Sequence, residues 1–261
     1  MNNRPLILVV NDDGYQAKGL LSLIEVAKTK GDVLVVAPDG PRSGMSHAIT
    51  MQVPLRLKKI QESENFNFYI TNGTPVDCVK LAQKVVLNNT YPDLIISGIN
   101  HGSNSAISIL YSGTMAAALE GAFENVPSIG FSLLSFDADA DFSLAKEYAG
   151  KIIDHVLKEG LPERTCLNVN IPYIKAEKCN GIKITRQAKG YWSENFVPHQ
   201  DPHGGTYYWL TGSFVNLDGK EDTDEWALKN NYVSVHPVQF DLTAHAHIDN
   251  LKHWESKILQ L

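Results

Sequence analysis

Short runs of consecutive apolar residues recur along the first two thirds of the chain and predict strands that are buried on both faces. Segments in which apolar residues follow a helical spacing alternate with these runs. The predicted strands are Leu6–Val10, Asp32–Pro38, Asp93–Gly98, Val126–Ser132 and Cys166–Ile171, and the predicted helices are Lys18–Thr29, Met115–Phe123, Phe142–Glu159 and one that begins at Thr74-Pro75. This alternation predicts an α/β fold, a Rossmann-like three-layer core with a mostly parallel sheet and right-handed crossovers.

Two other parts of the chain show a different pattern. Residues 53–60 and 67–71 alternate apolar and polar positions, which predicts a hairpin or an edge pair of strands. Past Pro172, aromatic β runs predominate, with a short helical candidate at 224–229 and a final helix at 250–259. We therefore predict a Rossmann-like α/β catalytic core over 1–172 and a β-rich C-terminal part, with a hairpin and a terminal helix, over 173–261.

Composition and charge restrict the function classes. The chain has 261 residues, 43% of them hydrophobic, and a net charge of −6, so no global positive field would recruit a nucleic acid. The three cysteines show no Cys-x-x-Cys spacing, which is typical of a reducing, cytoplasmic location. The apolar run near the start is too short for a signal peptide or a membrane span, so we expect no membrane partner.

Polar residues gather where the predicted strands end. Asp12 and Asp13 follow the first strand, Ser43 lies in the loop after the second, and Asn100 follows the strand at 93–98. Ligands bind outside the carboxyl ends of the strands in open α/β sheets, so these residues would share one edge. Adjacent carboxylates repel each other unless a cation or several N–H donors lie between them. Asn-Asp-Asp-Gly is also good turn chemistry, and this alternative stays open.

The chemistry of this set is coherent. Carboxylates, a hydroxyl and an amide carbonyl suit a hard cation such as Mg²⁺ or Mn²⁺. Residues 112–114 open a predicted helix, where backbone N–H groups and hydroxyls can bind an anion. A cation beside an anion cradle indicates phosphoryl chemistry.

Three other classes with acidic or glycine-rich strand ends fit less well. A receiver-like signalling module would be shorter and would need a Lys after its last strand. A dinucleotide-binding dehydrogenase needs G-x-G-x-x-G after the first strand, where this chain has Asn-Asp-Asp-Gly. A haloacid-dehalogenase-type phosphatase needs D-x-D, and the acids here are adjacent. A non-catalytic nucleotide- or metal-binding regulator on the same scaffold remains the alternative to an enzyme.

Several motifs, in order, resemble those of the survival protein E (SurE) family of nucleotidases. They are Asn11-Asp12-Asp13-Gly14, Arg42-Ser43-Gly44 with Ser46-His47, Asn72-Gly73-Thr74-Pro75-x-Asp77, Ser97-Gly98-Ile99-Asn100-x-Gly102-x-Asn104 and Tyr111-Ser112-Gly113-Thr114. The resemblance continues into Tyr232-Val-Ser-Val-x-Pro237 and Asp241-Leu-Thr243. It therefore spans essentially the whole chain.

The resemblance implies a metal-dependent phosphomonoesterase that hydrolyses nucleoside 5′- and 3′-monophosphates. It implies one Mg²⁺ or Mn²⁺ per subunit and a homodimer or homotetramer assembled through the C-terminal part. Position by position, it implies metal ligands at Asp12, Asp13, Ser43 and Asn100, with the two aspartates also catalytic. To these we add phosphate contacts at Asn11, Ser112, Gly113 and Thr114.

Other reactive or aromatic residues are interpreted as structural. His47 could protonate a leaving group, but a loop histidine more often has a structural role, so it stays outside the catalytic set. His245 and His247 are not expected to form a second metal site. Trp192 and Trp209 could stack on a base, yet aromatic β residues more often pack in hairpins or interfaces.

Overall fold

The computed structural model describes residues 4–258 and has a nine-stranded sheet at its centre. The strands are β1 (Leu6–Val10), β2 (Asp32–Pro38), β3 (Leu57–Ser63), β4 (Phe66–Thr71), β5 (Leu94–His101), β6 (Ser128–Leu133), β7 (Thr165–Ile171), β8 (Ile182–Ile184), β9 (Gly190–Gln200), β10 (Thr206–Asn216) and β11 (Val233–Gln239). The helices are α1 (Lys18–Lys28), α2 (Pro75–Leu81), α3 (Gly113–Phe123), α4 (Ser143–Glu159), α5 (Asp224–Lys229), α6 (Ile248–Leu251) and α7 (Trp254–Ile258).

The main sheet is mostly parallel, as predicted. Its strand order is β3-β4-β2-β1-β5-β6-β7-β11-β8, with antiparallel pairing only at β3–β4 and β7–β11. Helices α1 and α4 pack on one face and α2 and α3 on the other, because the strands between them bury apolar side chains on both faces. The Rossmann-like three-layer core is confirmed.

Strand β1 is central because its apolar residues leave no face for water. Ile7, Leu8, Val9 and Val10 are fully buried, and β1 pairs in parallel with both β2 and β5. The strand order reverses at β1, since β2 and β5 lie on its opposite sides. The helices that follow β1 and β5, α1 and α3, pack on opposite faces of the sheet, and ligands bind in the crevice that such connections open at the carboxyl ends of the strands.

The strand pair predicted from alternating positions is present, with a different range for its first strand. The pair predicted at 53–60 and 67–71 is present as β3 and β4, but β3 begins at Leu57 and extends to Ser63. The two strands form the antiparallel pair at one edge of the sheet, with β3 outermost and β4 also paired in parallel with β2. Alternating burial shows which face of a strand is covered and says nothing of its partners.

The C-terminal part contributes to both sheets. Strands β8 and β11 extend the main sheet, whereas β9 and β10 form a separate antiparallel hairpin. The predicted terminal helix is divided into α6 and α7, and its last predicted residue, Leu259, lies outside the described residues. Between residues 4 and 258, no helix is long and apolar enough to cross a membrane.

The N-terminus of α2 also anchors a loop that reaches the carboxyl edge of the sheet. Thr74 and Asp77 form a capping box, in which the Thr74 hydroxyl accepts the Asp77 N–H and the Asp77 carboxylate accepts the Thr74 N–H. The same hydroxyl donates to the Ala48 carbonyl at 2.7 Å, and Asp77 Oδ1 accepts the Thr50 N–H. One buried pair therefore caps the helix and holds the end of the 39–50 loop.

We predict that Thr74→Ala lowers the free energy of unfolding by about 1–2 kcal/mol, because it removes a helix cap and leaves the Ala48 carbonyl without its donor. Urea unfolding measures this change. Thr90→Ala is the matched control, since it removes an exposed hydroxyl that bonds only the Leu87 carbonyl; it should cost less than about 0.5 kcal/mol. Equal losses in the two variants would contradict the anchoring role of Thr74.

Candidate active site

A cavity of about 840 Å³ lies at the carboxyl edge of the sheet. Its wall includes Asp12, Asp13, Ser43, Asn100 and Ser112, which come from the ends of β1 and β5 and the loops that lead into α3 and follow β2. Five of the eight residues predicted from sequence thus share one cavity. The carboxyl ends of the neighbouring parallel strands β1, β2 and β5 bring these residues together.

Asp12 is the most buried ionisable group of the site. Asp12 is only 3% exposed, and the Thr114 hydroxyl donates to its Oδ1 atom at 2.6 Å. Burial and the neighbouring charge of Asp13 raise the pKa of Asp12 to about 6, and the hydrogen bond from Thr114 limits that rise. Its charge at neutral pH therefore opposes folding unless a positive group offsets it.

Asp13 faces the same cavity from the other side of the turn. Its Oδ2 atom accepts the His101 N–H at 3.2 Å, which joins the end of β1 to the end of β5. Burial raises the pKa of Asp13, and the contact with His101 counteracts that rise. Two adjacent carboxylates with raised pKa values are the electrostatic feature expected of a cation site.

Ser43 and Asn100 add neutral oxygen atoms. Ser43 follows Arg42, whose N–H donates to the Asp12 carbonyl at 2.7 Å, so its loop is fixed against the end of β1. The Asn100 amide nitrogen donates to the Gly102 carbonyl at 2.9 Å, which leaves its side-chain oxygen to accept. Within residues 4–258, no three His, Cys, Asp or Glu side chains gather to hold a metal, so a cation here requires these neutral oxygens.

The start of α3 lies against Asp12. Ser112 is the N-cap residue, and its hydroxyl accepts the Met115 N–H at 3.0 Å. A Cβ atom on Gly113 would lie 2.9 Å from Asp12 Cβ and 3.0 Å from Asp12 Oδ2, so only glycine allows this approach. The positive end of the helix dipole therefore points towards the carboxylates and towards any anion bound beside them.

Asn11 and Thr114 lie behind Asp12 and outside the cavity wall. Asn11 is buried, and its amide donates to the Gly14 carbonyl at 2.8 Å while its Oδ1 atom has no hydrogen-bond partner in the described part of the chain. Thr114 is fully buried, with its hydroxyl committed to Asp12. These side chains hold the turn and Asp12 in place.

His47 lies outside the cavity wall, on the far side of its loop. Glu120 Oε1 accepts a hydrogen bond from His47 Nε2 at 2.7 Å, and Glu120 Oε2 accepts one from Lys80 at 2.5 Å. Burial alone would raise the pKa of Glu120, but these two hydrogen bonds outweigh it and lower the pKa. His47 thus ties the loop that carries Ser43 to α3.

His245, in turn, pairs with Asp241 on the surface at 2.7 Å.

The cavity wall also contains residues that the sequence did not single out as functional. They are His101, Ser103, Phe136 and Glu194; Asn104 and Tyr111 belong to the sequence motifs but had no role assigned, and Trp192 was interpreted as more often packing than stacking on a base. The run of Gly, Asn and Ser after Asn100 was the available signal for residues 101–104. The hairpin residues carry no comparable signal, because aromatic β positions are common.

The fold and site together define a Rossmann-like α/β protein with an acidic, oxygen-lined centre at the carboxyl edge of its sheet. The sequence model of the family described as Survival protein SurE matches residues 7–194. The chain belongs to the SurE family.

Individual relatives match over nearly the whole chain. A protein from Flavobacterium psychrophilum named 5′-nucleotidase SurE is 55% identical and aligns over 97% of this chain and 98% of its own. One of the same name from Phocaeicola vulgatus is 46% identical, with 98% of each chain covered. The crystal structure of the SurE protein from Aquifex aeolicus is 42% identical with a TM-score of 0.83, covering 96% of this chain and 100% of that one.

We predict that Asp12→Asn changes the pH dependence of stability in the absence of divalent cations. The pKa of Asp12 is about 6 in the folded chain and near 3.8 when unfolded, so the folded chain binds this proton more tightly. Stability is then lost as pH rises from about 4 to about 6. In EDTA, the wild type should lose about 2 kcal/mol more than Asp12→Asn between pH 4 and pH 7.

Urea unfolding at several pH values tests this expectation. Asp154→Asn is the control, because Asp154 forms only a surface ion pair with Lys30; its stability curve should run parallel to that of the wild type. Parallel curves for the wild type and Asp12→Asn would contradict the assigned environment of Asp12.

Proposed function

We propose that this chain is a metal-dependent phosphomonoesterase that hydrolyses nucleoside 5′- and 3′-monophosphates to nucleoside and phosphate. The observation that carries the proposal is the pair of adjacent carboxylates, buried at Asp12 and half-buried at Asp13, set beside the N-terminus of α3 in a cavity with room for a nucleotide. The names of the relatives, 5′-nucleotidase SurE, support the same reaction.

Asp12, Asp13, Ser43 and Asn100 are the proposed ligands of one Mg²⁺ or Mn²⁺. The residues fit such an ion because all four offer oxygen, and the two carboxylates have raised pKa values that a nearby positive charge would lower. When bound there, the ion supplies positive charge that stabilises the negative charge developing on the phosphoryl oxygens.

Residues 112–114 form the proposed phosphate cradle. The Ser112 hydroxyl and the N-terminus of α3 face the anion, and Gly113 lets the backbone approach. Asn11 and Thr114 complete the phosphate site from behind, by holding the turn and orienting Asp12.

Asp12 is the proposed proton acceptor for the attacking water. Its carboxylate lies in the cavity wall and is ionised at neutral pH, as a proton acceptor must be. The Thr114 hydroxyl holds Oδ1, so Oδ2 is the atom that accepts the proton. Asp13 then contributes charge and ion binding.

Assembly and location complete the proposal. The hairpin exposes large apolar side chains outside the cavity wall, Phe196, Tyr207 and Tyr208, which favours burial against further copies in a homodimer or homotetramer. Cys78, Cys166 and Cys179 are free thiols, as is usual in a reducing compartment such as the cytoplasm.

Phosphate release from a panel of nucleoside 5′- and 3′-monophosphates, with EDTA, Mg²⁺ or Mn²⁺, tests the proposal. We expect release that requires the added cation and falls at least about 100-fold in Asp12→Asn, which keeps the size of the side chain and removes its charge. Asp154→Asn should retain full activity. A folded wild type that releases no phosphate under any of these conditions would instead be a binding regulator.

A further inference from the structure

The cavity extends well past the two aspartates, and one side of the hairpin forms its far wall. Pockets of about 300–1,000 Å³ accommodate whole small molecules, and this one, at about 840 Å³, lies within that range. If the phosphate lies at Asp12 and Ser112, the rest of the ligand must lie against the residues that β9 and β10 contribute.

The residues of this wall share one face of the hairpin. In the register of β9 and β10, Trp192 is opposite Phe214 and Glu194 is opposite Gly212. Side chains two apart on a strand point to the same side, so Trp192 and Glu194 face together. Trp192, Glu194, Leu210 and Gly212 all line the cavity, together with Thr211, so this part of the face borders it.

A gap lies in the middle of this face. Gly212 has no side chain at the position opposite Glu194, and a larger residue there would require a backbone shift, because a Cβ atom would lie 2.5 Å from the Ser193 carbonyl oxygen. The Trp192 ring is held beside the gap, because its Nε1 donates to Ser108 Oγ at 3.2 Å and its ring centroid lies 5.9 Å from that of Phe214. We call Trp192, Glu194 and Gly212 the hairpin slot.

The hairpin slot ends in a carboxylate without a partner. Apart from Asp12 and Asp13, Glu194 is the only acidic residue among those described in the cavity wall. Glu194 is exposed, and no described residue gives it a hydrogen bond or an ion pair, so its carboxylate is free to accept donors from a ligand. A carboxylate accepts two parallel hydrogen bonds from donors that lie side by side.

The nucleobases differ in how many hydrogen bonds they can donate to such a carboxylate. Guanine presents two adjacent donors, N1–H and the 2-amino group, on one edge. Adenine and cytosine place a single amino donor beside a ring acceptor, and uracil places one N–H between two carbonyls that a carboxylate repels. Hypoxanthine keeps N1–H and lacks the amino group.

We propose that the hairpin slot binds the base of the nucleotide and that Glu194 selects guanine. Trp192 supplies the flat apolar wall, as aromatic side chains do for unpaired bases. This inference rests on the proposed phosphomonoesterase function, because it assigns the phosphate of the same ligand to the Asp12 site.

Steady-state kinetics with GMP, IMP, AMP and UMP, and with ribose 5-phosphate as a substrate without a base, test the inference. In the wild type, kcat/KM should be about tenfold or more higher for GMP than for UMP, with IMP between them. Glu194→Gln should lower kcat/KM for GMP about tenfold and leave ribose 5-phosphate unchanged. Trp192→Ala should raise KM about tenfold for every nucleotide and also spare ribose 5-phosphate.

Two controls are available in the same chain. Glu221→Gln changes an exposed carboxylate outside the cavity wall, and Trp209→Ala changes an exposed ring of the same hairpin, 62% exposed and also outside that wall. Neither should alter the order of the substrates. An equal loss for GMP and UMP in Glu194→Gln, or no preference for GMP in the wild type, would overturn the assignment.

Calorimetric binding of guanosine separates this inference from the proposed function, because it needs no turnover. Guanosine should bind the wild type about tenfold more tightly than Glu194→Gln. Such binding in a protein that hydrolyses no substrate would support the hairpin slot and overturn the phosphomonoesterase. Phosphate release, together with guanosine binding that Glu194→Gln does not change, would support the phosphomonoesterase and overturn the hairpin slot.

Discussion

The repulsion between two carboxylates at consecutive positions is the constraint around which the site is built. Asp12 is almost fully buried and Asp13 shares its turn, so each ionisation makes the other harder. The chain offsets this with the Thr114 hydroxyl, the His101 N–H and the start of α3, all aimed at the same two groups. The proposed cation would supply the remaining positive charge, so Asp12 should destabilise the fold when no cation is present and support activity when one is bound.

The surrounding structure keeps these groups at fixed positions. The loop that carries Ser43 is tied to α3 through His47 and Glu120, and to α2 through Thr74. On the other side, the buried Asp224 carboxylate accepts the N–H groups of Ala106 and Ala188, which joins the segment before α3 to the segment that enters β9. The base of the hairpin is thereby fixed relative to the site, as a base-recognition surface would require.

Much of the core was predictable from sequence because its determinants are local. The apolar run at 6–10 and the acids that follow it identify both the central strand and the edge at which we propose that ligands bind. What the sequence did not predict depends on contacts between distant segments. Strand β11 inserts beside β7, and Trp192 and Glu194 reach the cavity only because the hairpin folds back over it. Alternation along a strand indicates its two faces and does not show which face meets a cavity.

The central claim is that Asp12 and Asp13 together hold a divalent cation, and calorimetric titration of Mn²⁺ into the EDTA-treated protein at pH 6 tests it most directly. Because the pKa of Asp12 is about 6, binding should release about half a proton from this group, visible as a dependence of the heat on the buffer. We predict one ion per chain with this proton release in the wild type, with binding weakened at least about tenfold in Asp12→Asn and in Asp13→Asn. Absence of binding, or unchanged affinity and proton release in both variants, would contradict the account.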